Sequence, residues 1–347
     1  MGLSRRGEPF LLLPSYKLNK NYSHHICSSL TVPLQFPPDT TPVIAQAGQK
    51  VPLKLAVGST SLVELAFPTY LRSLPLPPEK PRIFAEIGRY RLRLAESVED
   101  RDAACRLRFR VFNIELGEGL ASSYQTGLDT DQFDLFCEHL LVEDKLETNP
   151  SRRIVGTYRM QSGATAARNL GYYSEQEFNF AAFDPLRSGI LELGRASVDR
   201  EHRTPEVLTL LWRGIAQYAN DMGLRYLIGC SSLNTKDPAD GWRMYRLLEQ
   251  YRVSPEFRTE PTAAYACPSE QEGAYSQPSP CQQDQSLRTP EQVKPPKLLK
   301  TYLAIGARIC APPAWDREFG TIDFLTLLDL RLIAPSARNR FLAPLTT

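Results

Sequence analysis

Regular alternation of apolar and polar positions starts at residue 90. Tyr90-Arg-Leu-Arg-Leu-Ala95 repeats every second residue and predicts a strand with one buried face. Ser97 followed by acidic residues predicts a helix N-cap. Val98 to Leu116 then reads as a helix, with Ala104, Leu107, Val111 and Ile114 recurring at three and four and Gly117 as its stop. Glu138 to Val142 and Arg153 to Met160 predict two strands, joined by a polar turn carrying Asn149-Pro150. Tyr172 to Asn179 reads as a short helix leading to a strand that ends near Glu192 and Arg195. Pro205 opens a helix whose stripe includes Leu211, Ile215 and Tyr218, with Gly223 beyond it. Arg225 to Ser231 is a buried-type strand and Pro238–Tyr251 an amphipathic helix. Leu298–Ile309 reads as a strand, and Ile322–Leu332 as a strand or short helix.

Proline sets the boundaries. Of 28 prolines, twelve lie in residues 1–82, eight in 255–296 and four in 83–254. Since proline removes a ladder donor and blocks helix interiors, the middle of the chain is where continuous structure forms. Residues 1–82 are expected to be an irregular Pro-rich arm, partly disordered, with one short strand near Val51–Val57. Residues 83–258 are expected to form the core, 259–296 a polar Pro/Gln/Ser-rich linker or insertion, and 297–347 a segment completing the core. Helices interspersed with hairpins predict an α/β fold whose sheet is not purely parallel.

Composition narrows the function. Hydrophobic residues make up 42% and charged residues 23%, as in a soluble globular protein. A net charge of +2 without a basic stripe excludes nucleic acid as the expected partner. Seven cysteines without a Cys-x-x-Cys pair, and four histidines without ligand spacing, predict no metal site and a reduced, cytoplasmic setting. No apolar run reaches the length of a bilayer span.

Several charged positions invite chemistry. Leu191-Glu-Leu-Gly-Arg195 sets Glu192 and Arg195 three apart on an apolar strand, where an unpaired charge is costly. Asp129, Asp131 and Asp134 put three carboxylates in six residues. The bland reading of both is ion pairing that orders the chain. His139 to Asp144 spells His-x4-Asp, but the apolar run between them suits a strand that leaves His139 half exposed. Cys137 and Cys230 sit in apolar strands, where cysteine is usually an inert hydrophobe.

The span Arg89–Ser231 resembles the ornithine N-acyltransferases of ornithine-lipid synthesis, GNAT-like enzymes related to acyl-homoserine lactone synthases. The resemblance rests on Arg106-Leu-Arg108-Phe-Arg110-Val-Phe112, Asp129-x-Asp131-x-Phe133-Asp134, Cys137-Glu-His-Leu-Leu-Val142, Ile154-Val-Gly-Thr-Tyr-Arg159 and Leu191-Glu-Leu-Gly-Arg195. Leu211-Trp212-x-Gly214-Ile215, Ile228-Gly-Cys-Ser231, Tyr302-Leu-x-x-Gly306-Ala and Pro313-Ala-Trp-Asp316-x-x-Phe319 with Asp323 extend it.

It implies a GNAT-like mixed sheet flanked by helices, and transfer of a 3-hydroxyacyl group from acyl carrier protein to the α-amine of ornithine with no bound cofactor. Glu192 would be the base, with Arg195 orienting it or neutralising charge nearby. Arg108, Phe112, Asp131, Asp134 and Arg159 would shape the substrate end, and Asp129 or Asp131 would meet ornithine's second ammonium. Amides at a bulge in the central strand would bind the oxyanion.

One departure bears on the donor. Acetyl-CoA enzymes of the superfamily cradle pyrophosphate at a glycine-bearing helix start, which here reads Arg203-Thr-Pro205-Glu206-Val207-Leu208. Arg203 is the donor-binding candidate that remains; Pro205 removes an amide and Glu206 adds negative charge, which favours a carrier protein over CoA. The rival readings are a homoserine lactone synthase, an N-acyl synthase for another amino acid, and a non-catalytic GNAT-like module. A hydrophobic product would suit transient contact with the inner face of the cytoplasmic membrane.

Overall fold

In the computed structural model, which describes residues 80–268, 294–333 and 337–339, the alternating segments pair into one nine-stranded sheet. Its order is β1 (Phe84–Ile87), β2 (Tyr90–Leu94), β3 (Glu138–Asp144), β4 (Ile154–Ser162), β5 (Ile190–Val198), β6 (Tyr226–Leu233), β9 (Thr321–Asp329) and β7 (Arg308–Ile309). The short β8 (Ala314–Asp316) also pairs with β9. Every neighbouring pair is antiparallel except β5–β6. The fold is therefore the expected mixed α/β sheet flanked by helices. The strand expected near Val51–Val57, and the rest of the Pro-rich arm up to residue 79, lie outside the described residues.

Four longer helices flank the sheet: α1 (Val98–Phe109), α2 (Pro205–Asp221), α3 (Pro238–Leu247) and α4 (Lys297–Ile305). Ser97 caps α1 by accepting from Asp100 N. The winding continues from Arg110 to Leu116 in the wider π form, ending at Gly117 with φ 67°. On one face, Leu210, Leu211 and Ile215 of α2 pack with Leu92, Leu140 and Val142 of the sheet. Gly214 brings this helix close, since a Cβ there would lie 2.8 Å from Leu92 Cδ2. On the other, Ala104 and Leu107 of α1 join Leu141 and Ile154.

One expectation changes and two sharpen. Leu298–Ile309 is mostly helix α4, with only Arg308–Ile309 in a strand. Its apolar residues Leu299, Leu303 and Ile305 are buried at helical spacing, so a short apolar run was misread as a strand. Ile322–Leu332 resolves to strand β9. The polar segment after residue 258 begins as an ordered loop: Thr262 N donates to Glu177 O, and Cys267 is buried.

Strands β5 and β6 position the cleft. They are in register only over Ile190↔Tyr226, Leu191↔Leu227 and Glu192↔Ile228, then part. At the parting, Gly229 passes so close to β5 that a Cβ would sit 2.2 Å from Leu193 O. Opposite β4, the register shifts between Thr157↔Ser197 and Arg159↔Gly194, so Arg195 and Ala196 together face Tyr158. Arg195 carries φ 51° there, unusual for a residue with a Cβ. Glu192 and Arg195 thus sit on either side of the point where β5 bends away, within the strand and not at its end as expected.

Candidate active site

A cleft of about 330 Å³ opens at this parting, walled by β5, β6, the Tyr173–Glu177 turn, Phe112 and the start of α4. A smaller cavity of about 60 Å³ shares Leu193–Ala196 and Cys230 with it and reaches Trp212 and Tyr302 behind the sheet. Trp212 is both core and cavity wall.

The sequence candidates fall into distinct places. Arg108 is buried and bidentate to Asp134, at 2.7 and 2.9 Å, and it also donates to Asp129 Oδ1 at 2.8 Å. Arg159 donates to Asp131 at 2.6 Å and Asp134 at 3.3 Å. Arg195 donates to Asp131 at 3.1 Å and lies 3.8 Å from Asp129. Three arginines and three aspartates thus close into one network, with Asp131 N also donating to Asp134 to lock the turn. Burial opposes ionisation of Asp134, but the Arg108 guanidinium wins and holds its carboxyl well below the usual range. Burial and the Arg159 and Arg195 cations act on Asp131 in the same opposed senses, and it too is held low.

Phe112 lines the cleft and meets Phe319 edge-on at 5.4 Å, while the Arg195 guanidinium lies 4.4 Å from the centre of the Phe319 ring. The network therefore braces one wall. Asp129 is fully buried against Arg108, and none of Arg108, Asp129, Asp131 and Asp134 lines the cleft, which departs from the places expected for them at its substrate end; of the network only Arg159 and Arg195 reach the lining.

Glu192 lies on the cleft wall but is 5% exposed. It accepts from Tyr173 N at 2.8 Å, Ser174 N at 2.8 Å and Ser174 Oγ at 2.7 Å. Burial raises its pKa despite these donors. Among the described residues Arg195 makes no hydrogen bond or ion pair with Glu192; backbone amides orient the carboxylate in its place. The Tyr173–Glu175 segment is a single 3-10 turn, shorter than the helix expected over Tyr172 to Asn179.

Arg203 sits away from the cleft lining. Its guanidinium is bidentate to Glu115, at 2.7 and 2.8 Å. At the start of α2, Thr204 Oγ1 accepts from Val207 N, so a side chain already occupies the amide end. His139 is buried, 3% exposed, not half exposed as expected, because β3 is an inner strand packed on both faces. Burial pushes its pKa down to about 4, and Asp144 pairs with Arg89 instead. Burial also pushes the Cys137 thiol up to about 12, and Cys230 well above its usual value.

Sequence reasoning assigned no role to Glu177, Glu118, Asp316 or Asp323, all of which line the cleft. A signal existed for one of them: Asp323 interrupts an apolar strand between Ile322 and Phe324. Among the described residues none of the four has an ion-pair partner. Burial first, then Asp323 and Asp316, raises Glu177 well above the carboxylate range. Burial likewise pushes Asp323 up to about 6, and Glu118 up to about 7 with Asp323 beside it. Glu177, Cys230 and Asp323 offer ligand atoms within 4.8 Å of one another.

Comparison with known proteins places this architecture. An acetyltransferase (GNAT) domain matches residues 107–213. L-ornithine N(alpha)-acyltransferase of Agrobacterium fabrum is 33% identical over 258 residues, covering 73% of this chain and 85% of its own. The chain belongs to the L-ornithine N(alpha)-acyltransferase family. The Brucella abortus member is 31% identical, over 73% of this chain and 88% of its own. A solved N-acyl amino acid synthase from uncultured soil microbes is a remote likeness, 12% identical with a TM-score of 0.40, covering 73% of this chain and 96% of that one. The matched GNAT domain, residues 107–213, contains all the residues of the arginine–aspartate network and Glu192. Among the described residues no helix is long and apolar enough to cross a membrane.

Proposed function

We propose that this chain moves an acyl group from a thioester to the α-amine of ornithine, forming an N-acylornithine. The observation that carries the reading is the slot between β5 and β6: its walls are strand backbone, and Glu192 stands beside it within a chain of this family. An extended thioester arm lies in the parting, and the amine approaches from the wider cleft. The α-ammonium gives a proton to Glu192, directly or through one water, and the freed nitrogen attacks the thioester carbon. A C–N bond forms, the oxyanion collects hydrogen bonds from amides freed at the Arg195–Ala196 bulge, and the C–S bond then breaks while the nitrogen's second proton passes to the departing sulfur, leaving an amide and a thiol. The smaller cavity, with Trp212 and Leu227 on its wall, takes the acyl chain.

The donor is an acyl carrier protein. Support comes from the start of α2, where Pro205 lacks an amide hydrogen, Thr204 fills the cap, Glu206 adds charge and Arg203 is neutralised by Glu115. A pyrophosphate finds no cradle there, whereas a carrier protein brings a single phosphate on its pantetheine arm. The acylated product, being hydrophobic, leaves at the inner face of the cytoplasmic membrane.

The test is mass spectrometry of reactions containing the purified chain, ornithine and either 3-hydroxyacyl carrier protein or the matching CoA ester. Acylornithine from the carrier-protein reaction, reduced on the order of 100-fold with Glu192→Gln, is expected. Equal turnover by Glu192→Gln would remove Glu192 as the base, and preference for CoA would overturn the donor assignment.

A further inference from the structure

The cleft holds more carboxyl groups than its own cations pair. Arg108, Arg159 and Arg195 are consumed by Asp129, Asp131 and Asp134, as their ion pairs record. Elsewhere on its wall, Glu177 is 1% exposed and Asp323 4% exposed; Ser232, Thr321 and Glu177 approach Asp323 as neighbours, yet Glu177 Oε1 and Asp323 Oδ1 keep no partner in hydrogen-bond geometry. Ser231, on the same wall and 6% exposed, has an unpartnered Oγ as well. Buried polar atoms of native proteins are normally satisfied, and buried carboxylates without a cation are costly. Several such atoms converging on one cleft describe a site shaped for a cationic donor of several hydrogen bonds.

We infer that Glu177 and Asp323, with Asp316 beside them and Ser231 Oγ completing the acceptor shell, hold the distal ammonium of the diamino acid. The inference rests on the acyl-transfer reading and names its substrate recognition. Glu192 and Glu177 are linked through Ser174 Oγ and Cys230 Sγ by contacts of 2.7, 3.6 and 3.4 Å, so both face the same cleft within reach of a short diamine. The two carboxylates would then treat the two nitrogens of one substrate differently. Between Glu177 and Asp323 the distal nitrogen keeps its proton, has no lone pair and cannot attack. Beside Glu192 the α-nitrogen surrenders one proton and does. The pocket thus fixes both the preference for a diamino acid and the position acylated. An ammonium donates hydrogen bonds to oxygens without needing a thiolate, which suits a Cys230 that stays protonated; a divalent cation would require the thiolate.

The experiment compares ornithine with norvaline, which has the same carbon chain and no distal nitrogen, using the full-length protein and the acyl donor. The wild-type protein is expected to favour ornithine on the order of 100-fold in kcat/KM. In Glu177→Gln/Asp323→Asn the ornithine KM should rise by a similar factor, the preference should collapse toward one, and part of the product should carry the acyl group on the distal nitrogen. Thermal melting reports whether the double variant folds, and Glu177→Gln alone serves if it does not. A variant that retains the ornithine preference overturns the inference, as does activity abolished by chelation and restored by zinc. Wild-type protein acylating norvaline as well as ornithine sinks this pocket while leaving acyl transfer intact. Wild-type protein acylating neither sinks the acyl-transfer reading itself, and the pocket with it.

Discussion

Two groups of three carboxylates, one behind the arginines of the cleft wall and one lining the cleft itself, live under opposite regimes. Asp129, Asp131 and Asp134 are threaded by three arginines and tied to a short turn. Glu177, Asp316 and Asp323 are drawn together by β9, β8 and the Tyr173–Glu177 turn without an ion pair among the described residues. In the first group, paired charge stabilises geometry; in the second, burial without a cation makes the carboxyls resist ionisation, which a bound cation would favour. Both groups are acidic and buried, and burial alone does not distinguish them. The positions of the arginines do.

Breaking the paired group should have the largest effect on stability. Asp134→Ala strands Arg108 and Arg159 in the interior and is expected to cost about 3 kcal/mol, measured as a fall in the denaturant midpoint. Its pH signature follows from a depressed carboxyl: the stabilisation is present above the unfolded value near ~4 and lost as pH falls toward the folded one. Stability unaffected by the substitution would remove the contrast.

Relieving the unpaired group should act in the other direction. Asp323→Asn is expected to stabilise the free protein by about 1 kcal/mol at neutral pH while impairing use of ornithine. The folded Asp323 carboxyl titrates at about 6, above its unfolded value near ~4, so its contribution is present below the lower value and lost as pH rises through the higher one. The midpoint of the wild type relative to that of Asp323→Asn should therefore decline across that window, the opposite contribution of His139 being common to both. A destabilised Asp323→Asn would mean the carboxylate is paired after all.

The same titration sharpens the comparison in function. Asp323 faces Glu177 and Asp316, with Ser232 and Thr321 as neutral neighbours and Glu118 across the cleft. Ornithine KM should fall as pH rises through about 6, because the ammonium then meets an ionised carboxylate. A KM flat across that range, with the α-amine titration accounted for, would detach Asp323 from the substrate.

Arg203→Ala should do least. It removes an exposed pair with Glu115 worth about 0.5 kcal/mol, and the donor KM should barely move. A large rise in that KM would restore Arg203 as a donor-binding residue.

Much of the fold was legible because periodicity is local. Tyr90–Leu94 alternates on the page as it does in the sheet, and Ser97 caps the helix its neighbours announce. Lys297–Ile305 was misread because a short apolar run carries no length signal to separate strand from helix. His139 was misplaced because the number of neighbours a strand acquires is a property of the sheet. The candidate residues were legible as types: the acidic triplet and Arg108, Arg159 and Arg195 stand out by charge among apolar positions. Their pairing was not, since Arg195 and Asp131 are brought together across 64 positions of chain.

What the sequence by itself determined, then, was the local periods, the caps and stops, the mixed α/β character and the charges that had to be accommodated somewhere. What only the tertiary structure decided was the partition of those charges. Seating Arg195 at a bulge turned it from Glu192 toward Asp129 and Asp131, and closing β9 against β6 left Glu177 and Asp323 facing each other without a cation. The physical reason is that propensity and patterning act over a few residues. Coulomb energy and desolvation depend on distances and burial that exist only once distant strands have met.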